Sequence, residues 1–216
     1  MTDEPKSPPN GGTSDKPVQR AAPAGPVTSP QKPAATSPPK PTPKPIVKPE
    51  PWASPLLEAL QERFPGAISD ALIFRGQAFF TVQKERLIQV AEFLKSEGGG
   101  SYCLLTDETV VDYPKREKRF EIIYQLYSFE RNDRLRMKVL AGEAETVPSV
   151  TAVWPAANWL EREIYDMFGV VFEGHPELKR ILLPEDWTGH PLRKDYDILR
   201  QDPEWVRANL KIESGQ

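Results

Sequence analysis

The run WPAANWLEREIYDMFGVVFEGHPELKRILLPEDWTGHPLRKDY, residues 154–196, contains the strongest local signals for the fold. Its first part predicts a helix from about Pro155 to Gly169, because proline suits a first helical turn and glycine suits a left-handed stop. Apolar residues recur at helical spacing and predict one buried stripe, made of Leu160, Ile164, Met167 and Phe168. The opposite side of this helix is predicted to present fixed charge.

Beyond Gly169 the pattern changes to short apolar runs separated by prolines. The tripeptide Gly-His-Pro occurs twice, at 174–176 and 189–191. Proline cannot continue a helix and pushes the preceding residue to an extended conformation. From His175 onward we therefore expect an extended chain with turns. Such a segment, rich in Trp, Tyr, Arg and Lys, has little to pack against, which predicts that it lies on another protein.

The N-terminal segment has a different composition from the rest. Residues 1–51 contain 15 of the 24 prolines, with seven basic and four acidic residues. This segment has no apolar periodicity, and it could not bury enough surface to offset the entropy of ordering it. We expect a disordered, Pro-rich extension that acts as a solvated tether.

Several classes of protein are disfavoured by the rest of the composition. The sequence has no continuous apolar segment typical of a secretory signal, and no apolar run near the ~20 residues of a membrane-spanning helix. The expected protein is soluble or peripheral. The single cysteine, Cys103, lies in an apolar run, which predicts a buried thiol in a reducing compartment.

Residues 52–150 alternate between helix and strand signals. Ser54-Pro55 predicts the start of a short helix, and a second is expected over about 84–96. Strands are predicted at 67–74, 77–83, 102–105 with 110–113, 120–129 and 135–140. Hairpin connections outnumber helical ones. We therefore predict an α+β fold, a mostly antiparallel sheet with helices on one face, followed by a helix and an extended C-terminal arm.

The predicted organisation has four parts. A disordered extension covers 1–51, an α+β domain 52–150, the helix and partner-binding arm 151–200, and a C-terminal tail 201–216.

Residues with recognisable chemistry are few. One cysteine cannot hold an iron–sulfur cluster, and no glycine-rich nucleotide motif is present. Glu161 and Glu163 stand two apart on the predicted helix and point apart, which is poor geometry for acid/base catalysis. Neither catalytic, cofactor nor metal residues are predicted, and no nucleic acid is expected as a partner.

The same stretch supplies candidates for a protein interface. Tryptophan, arginine and other charged residues are concentrated on the predicted helix and arm, which favours a role in binding a partner protein. The Gly-His-Pro turns can also be purely structural. The predicted interface residues are Trp159, Arg162, Glu163, Asp166, His175, Trp187, His190, Arg193, Lys194 and Asp195.

The order of these residues resembles a known family signature. The run Glu161 to Phe168, followed after six residues by His175 and after three more by Lys179-Arg180-Ile181-Leu182, resembles the thirty-kilodalton subunit family of respiratory complex I. The later run Gly189 to Tyr196 looks like the end of the same signature. The resemblance covers roughly 55–200 and leaves the Pro-rich segment unaccounted for.

The resemblance implies a cofactor-free component, the C subunit, of the hydrophilic arm of NADH-quinone oxidoreductase, a proton-translocating complex. It implies a peripheral position on the cytoplasmic side of the bacterial inner membrane. The implied partners are chiefly the large D subunit, which helps to shape the quinone pocket, and neighbouring iron–sulfur subunits. FMN and the clusters are implied to lie in partner chains.

Two alternatives stay open. One is the equivalent subunit of a related ferredoxin- or hydrogenase-linked complex. The other is a stand-alone metal-dependent hydrolase that uses His175 and His190 with the acidic helix.

Overall fold

The computed structural model describes residues 48–197 and 203–210. Four helices and eight strands lie in these ranges. The helices are α1 (Pro55–Arg63), α2 (Leu87–Lys95), α3 (Ala157–Phe168) and α4 (Pro203–Leu210). The strands are β1 (Glu50–Pro51), β2 (Ile68–Phe74), β3 (Gln77–Val82), β4 (Leu104–Asp112), β5 (Phe120–Ser128), β6 (Asp133–Ala141), β7 (Thr146–Pro148) and β8 (Val171–Glu173).

Six of these strands form one sheet in the order β1-β2-β3-β6-β5-β4. Its neighbours are antiparallel except β3 and β6, which run parallel. The parallel pair arises because α2 carries the chain from β3 to the far edge, and the meander β4-β5-β6 then returns to β3. The predicted α+β class with a mostly antiparallel sheet is confirmed.

Local signals place the first elements as predicted. The Ser54 hydroxyl caps α1 by accepting a hydrogen bond from the Leu57 N–H at 3.1 Å. Arg75 and Gly76 join β2 to β3 with positive φ angles of 51° and 77°, as a two-residue hairpin turn requires. On β5 and β6, inward residues such as Ile122, Met137 and Val139 are fully buried, and Lys138, which lies between Met137 and Val139, is only half-buried. The side chains of both strands therefore alternate between the core and the more exposed face of the sheet.

The core lies between the sheet and α1, α2 and α3. Its largest fully buried side chains include Phe80, Leu60, Leu94 and Trp154. The Trp154 indole N–H donates to the Tyr102 carbonyl at 3.1 Å, which satisfies the ring's only donor inside the core. Tyr102, two residues before β4 begins, points into the core, so the side chain of the neighbouring Cys103 points outward. The prediction of a buried thiol at Cys103 is wrong, because this thiol is exposed.

Several boundaries differ from the prediction. Glu50 and Pro51 pair with β2 as an edge strand, so ordered structure begins inside the predicted extension, whose residues 1–47 lie outside the described part. Residues 104–112 form one strand with a bulge after Leu105, which replaces the expected interruption. Residues 146–148, for which no strand is predicted, pair in parallel with β8, and α4 lies in the predicted C-terminal tail.

The helix α3 begins two residues later than predicted. Pro155 and Ala156 lie in a turn before it, where the Ala157 N–H bonds the Trp154 carbonyl at 3.0 Å. The helix ends as predicted at Gly169, which adopts a left-handed conformation with φ +73°. Within the described residues, no helix is long and apolar enough to cross a bilayer.

Candidate interface formed by helix α3 and the C-terminal arm

Residues 174–197, here called the arm, fold back onto α3 and the sheet. The chain there has turns and bends without helix or strand, as predicted. The expectation that the arm finds little to pack against within its own chain is wrong. Side chains and backbone groups of the arm bond α3, β4 and Arg119 directly before β5, because the sequence supplies matched ionic and backbone partners on both sides.

Asp166 on α3 is the central attachment point of the arm. Its carboxylate is fully buried, and one oxygen accepts three consecutive backbone N–H bonds, from Ile181 at 3.0 Å, Leu182 at 2.7 Å and Leu183 at 2.9 Å. The other oxygen accepts from the Arg180 guanidinium at 2.6 Å. Burial raises the pKa of this carboxyl, but these donors outweigh burial and hold its pKa below the usual range.

Arg180 ties the arm to itself as well as to the helix. Beyond Asp166, its guanidinium donates to the carbonyls of Trp187 and Gly189, each at 3.0 Å. A planar, permanently charged group with five donors suits such a hub. Hydrogen bonds from this one arginine therefore hold together the segment between the two Gly-His-Pro motifs.

Arg162, one turn before Asp166 on α3, bonds the arm from the other direction. It is largely buried and donates to the carbonyls of Lys179 and Arg180, both at 3.2 Å. Its guanidinium also lies 5.2 Å from the centre of the exposed Trp159 ring. The prediction that α3 presents this charge outward is wrong for Arg162 and Asp166, because their partners belong to the same chain.

The two histidines are held by backbone carbonyls. A His175 ring nitrogen lies 3.1 Å from the Asn158 carbonyl oxygen, and His190 Nδ1 lies 3.0 Å from that of Asp166. Burial lowers the pKa of His190 and favours its neutral form. Both rings therefore fasten the arm to α3. Among the described residues, no three His, Cys, Asp or Glu side chains form a group that could hold a metal.

A second set of ion pairs fastens the end of the arm to the sheet. Arg119, directly before β5, is buried and pairs with Asp112 on β4 at 2.8 Å and with Asp195 on the arm at 2.6 Å. The Lys194 N–H donates to Asp112 at 2.8 Å. Hydrogen bonds from Arg119 hold the pKa values of both Asp112 and Asp195 below the usual range. Sequence reasoning missed Arg119 and Asp112, since no local pattern links them to residues 194–195.

Arg193 completes this attachment. It donates to the Phe168 carbonyl at the end of α3 and to Glu143 at 3.0 Å. Trp187 lies in edge contact with Trp205 of α4, with ring centres 4.7 Å apart. Trp187 is thus partly covered by its own chain.

Some large apolar side chains of these elements remain exposed. The described residues include six large apolar side chains that are exposed, and four of them belong to α3, β8 and the arm. These four, here called the exposed apolar set, are Trp159, Val171, Leu182 and Leu192. Glu163 and Lys194, also predicted for the interface, are exposed, as is Asp195. The interface role of all ten predicted residues stays a prediction.

The fold and this region define a class: an α+β domain whose C-terminal arm is locked to a signature helix and leaves apolar side chains on the surface. The family model described as "Respiratory-chain NADH dehydrogenase, 30 Kd subunit" matches residues 80–202. The chain belongs to this family, and the resemblance seen in the sequence is confirmed.

Similar proteins agree on this family. A relative from Geobacter metallireducens, named as the C subunit of NADH-quinone oxidoreductase, is 50% identical over 141 residues, which are 64% of this chain and 86% of the relative. One of the same name from Roseiflexus sp. is 48% identical over 144 residues, 66% of this chain and 83% of the relative. A chain in the structure of the membrane-bound sulfane sulfur reductase, an archaeal respiratory membrane complex, is 27% identical with a TM-score of 0.56. That similarity covers 73% of this chain and 90% of the other.

Proposed function

We propose that this chain is the structural C subunit of the hydrophilic arm of an NADH-quinone oxidoreductase. The whole complex passes electrons from NADH through FMN and iron–sulfur clusters to quinone and couples this transfer to proton translocation. In this proposal the chain carries no cofactor and no active site. It is a peripheral protein on the cytoplasmic side of the bacterial inner membrane. Family membership and the shared name of its relatives support the assignment.

The observation that carries the proposal is the exposed apolar set beside the locked arm. Trp159 is 61% exposed and Leu182 is 62% exposed, although Trp159 lies on the backbone of α3 and the Leu182 N–H is bonded by the buried Asp166 carboxylate. Large apolar side chains that stay exposed on a rigid surface are typical of protein–protein contacts, and tryptophan is among the residues enriched at energetic hot spots. The apolar surface is therefore proposed to be covered by a partner protein.

The internal bonds give the interface its shape before binding. Arg162 lies against the Trp159 ring and is itself fastened by arm carbonyls, so the ring is positioned by the fold. Ordering a side chain in advance lowers the entropic cost of association. In this view Arg162 and Asp166 support the contact surface, while Trp159 and Leu182 enter the contact.

Charged residues at the edge of the same surface complete the proposed interface. Glu163, Lys194 and Asp195 are exposed and of mixed sign. Charges at an interface rim contribute more to orientation and association rate than to affinity. We propose the large D subunit as the chief partner, with the iron–sulfur subunits nearby.

A charge-insertion experiment tests the proposed interface. The double variant Trp159→Glu with Leu182→Glu should lose incorporation into the complex, because burying two carboxylates against an apolar partner is unfavourable. A hot-spot loss of ~2 kcal/mol corresponds to roughly 30-fold weaker binding. The measurement is recovery of the chain with an affinity-tagged partner, together with NADH:quinone activity of the membranes.

The matched control is Phe129→Glu, which alters a side chain that is 65% exposed on the β5–β6 hairpin, outside α3, β8 and the arm. This variant should assemble normally. Circular dichroism must show that all variants fold. Normal incorporation of the folded double variant would exclude the proposed contact surface.

A related respiratory complex is the second candidate. The chain is similar to a component of the archaeal sulfane sulfur reductase complex over 73% of its length. A subunit that carries no redox centre does not determine which electron donor the whole complex uses. Purification of the native complex and assay with NADH and with reduced ferredoxin would distinguish the two candidates.

The hydrolase alternative has less support. Asp166, the carboxylate that could bind a metal together with the two histidines, already accepts four hydrogen bonds from its own chain. Stoichiometric zinc or iron in the purified chain, measured by elemental analysis, would favour this alternative.

A further inference from the structure

Three titratable side chains meet in the core where α3 packs on the sheet. Glu108 lies on β4 and Tyr124 on β5, and the two are direct partners in the antiparallel register. Directly opposed residues share one face, so both side chains point toward α3. Glu161 approaches from the inner side of α3, near enough to act electrostatically on both. Each of the three is at most 3% exposed.

Hydrogen bonds satisfy only part of this group, here called the Glu–Tyr–Glu cluster. The Val150 N–H donates to one oxygen of Glu161 at 2.7 Å. Within the described residues, no group makes a well-formed hydrogen bond to the second oxygen of Glu161, either oxygen of Glu108 or the Tyr124 hydroxyl, although Tyr124 and Glu108 lie near enough for a hydrogen bond between them to affect the pKa values of both. The Ser149 hydroxyl lies close to Glu161 but bonds Thr151 at 2.7 Å. Buried polar atoms without partners are rare and point to a ligand or a bound proton.

The surrounding charges do not compensate the two carboxyls. Across the described ranges, no lysine or arginine forms an ion pair with Glu108 or Glu161. Asp107 adds a further charge of the same sign that acts on Glu108. On the other side of Tyr124, β6 contributes the apolar Met137. Two ionised carboxylates buried together without a cation are strongly unfavourable.

We propose that Glu108, Tyr124 and Glu161 form a buried proton-binding site, and that a proton held between the two carboxyls keeps α3 seated on the sheet. The protonated carboxyl supplies a second O–H donor to the cluster, in addition to the Tyr124 hydroxyl. Tyr124 can donate to whichever carboxylate is ionised. Because the arm is fastened to α3, the same proton supports the position of the arm.

The electrostatics of the site agree with this geometry. Burial raises the pKa of Glu108, and the charge of Glu161 raises it further. Burial likewise raises the pKa of Glu161 to about 7. A raised acid pKa means that the folded state binds more protons than the unfolded one. The stabilisation is complete below the ordinary glutamate value and is lost as the pH rises through about 7.

Thermal unfolding of the full chain as a function of pH tests the site. The wild-type Tm should fall between about pH 5.5 and about pH 8.5. Glu108→Gln mimics the protonated acid, so its Tm should match wild type at the acid end and exceed it at the alkaline end. The fall in Tm should shrink by about half, since one of two coupled groups no longer titrates.

The matched control is Glu163→Gln, which removes an exposed acid two residues from Glu161 and should leave the pH profile unchanged. A second readout does not depend on unfolding. Infrared spectra of the folded chain should show a protonated carboxylic acid at neutral pH, and this band should weaken in Glu108→Gln, in which only Glu161 still titrates.

Two outcomes would overturn the proposal. One is an unchanged pH profile for Glu108→Gln together with no protonated acid at neutral pH. The other is restoration of the alkaline Tm by Ca²⁺ or Na⁺ in wild type but not in Glu108→Gln, which would identify a cation site.

Discussion

At the scale of a single residue, Gly169 is subject to two independent constraints. Its φ of +73° is a left-handed conformation that L side chains rarely adopt. A Cβ atom there would also lie 2.5 Å from His190 Nε2 and 2.7 Å from the Arg193 guanidinium. Gly169 therefore both ends α3 and leaves the space into which two side chains of the arm pack. The sequence indicated the first constraint, but only the folded arm shows the second.

Gly169→Ala should cost more stability than its backbone conformation alone explains. We expect a loss of about 3 kcal/mol in the free energy of unfolding, from left-handed strain and from steric overlap with the arm. The control is Gly174→Ala, which has φ +81° but no atom within 4 Å of the added Cβ. That variant should lose about 1 kcal/mol. Equal losses in denaturant titrations of the two variants would show that the arm does not pack on Gly169.

At the scale of elements, one carboxylate joins a helix to an extended segment. The Asp166 carboxylate accepts hydrogen bonds from three backbone N–H groups and one guanidinium. The three N–H groups belong to residues outside any helix or strand, so they have no partner from regular secondary structure. The aspartate thus substitutes for a strand partner along residues 181–183. This polar attachment leaves some apolar side chains of the arm, such as Leu182, on the surface, while Leu178 and Leu183 pack against the core.

Asp166→Asn should detach the arm from α3. An amide lacks the charge for Arg180 and places a donor against N–H groups, so we expect a loss of about 3 kcal/mol in stability. The wild-type contribution is present above the ordinary aspartate pKa and is lost as the pH falls through the lowered folded value. Hydrogen exchange of the Ile181, Leu182 and Leu183 amides reports the detachment directly.

The control for this variant is Glu163→Gln, on the exposed side of α3, which should change stability by less than about 0.5 kcal/mol. Unaltered amide protection at 181–183 in Asp166→Asn would mean that other contacts hold the arm.

At the scale of the described domain, the arm is a structural part of the fold as well as the proposed contact surface. Arg119 joins the sheet to the arm through Asp112 and Asp195. Removal of the arm would leave Asp166 and Arg119 with buried charge and fewer partners. Failure of such a truncated chain to assemble would therefore not prove a role in partner binding, and point variants of the exposed apolar set are the sharper test.

A chain ending at Gly174 should be strongly destabilised. Loss of the partners of Asp166 alone is worth about 3–5 kcal/mol, as for other broken buried pairs. A chain ending at Asp197 keeps the described contacts of the arm with α3 and the sheet and should lose much less. Thermal unfolding of both chains gives the comparison. A chain ending at Gly174 with a wild-type Tm would show that the α+β domain does not depend on the arm.

Local patterns in the sequence determined the element types, the alternation of β5 and β6, the stop at Gly169 and the family signature. These features follow from turn chemistry and periodicity, which act over a few residues. The tertiary structure alone decided the partners of charged residues far apart in the chain, such as Arg119 with Asp195 and Asp166 with Leu182. It also placed Glu161 in the core, because the direction of a helix face depends on what packs against it. Long-range contacts of this kind leave no fixed spacing in the sequence from which they could be predicted.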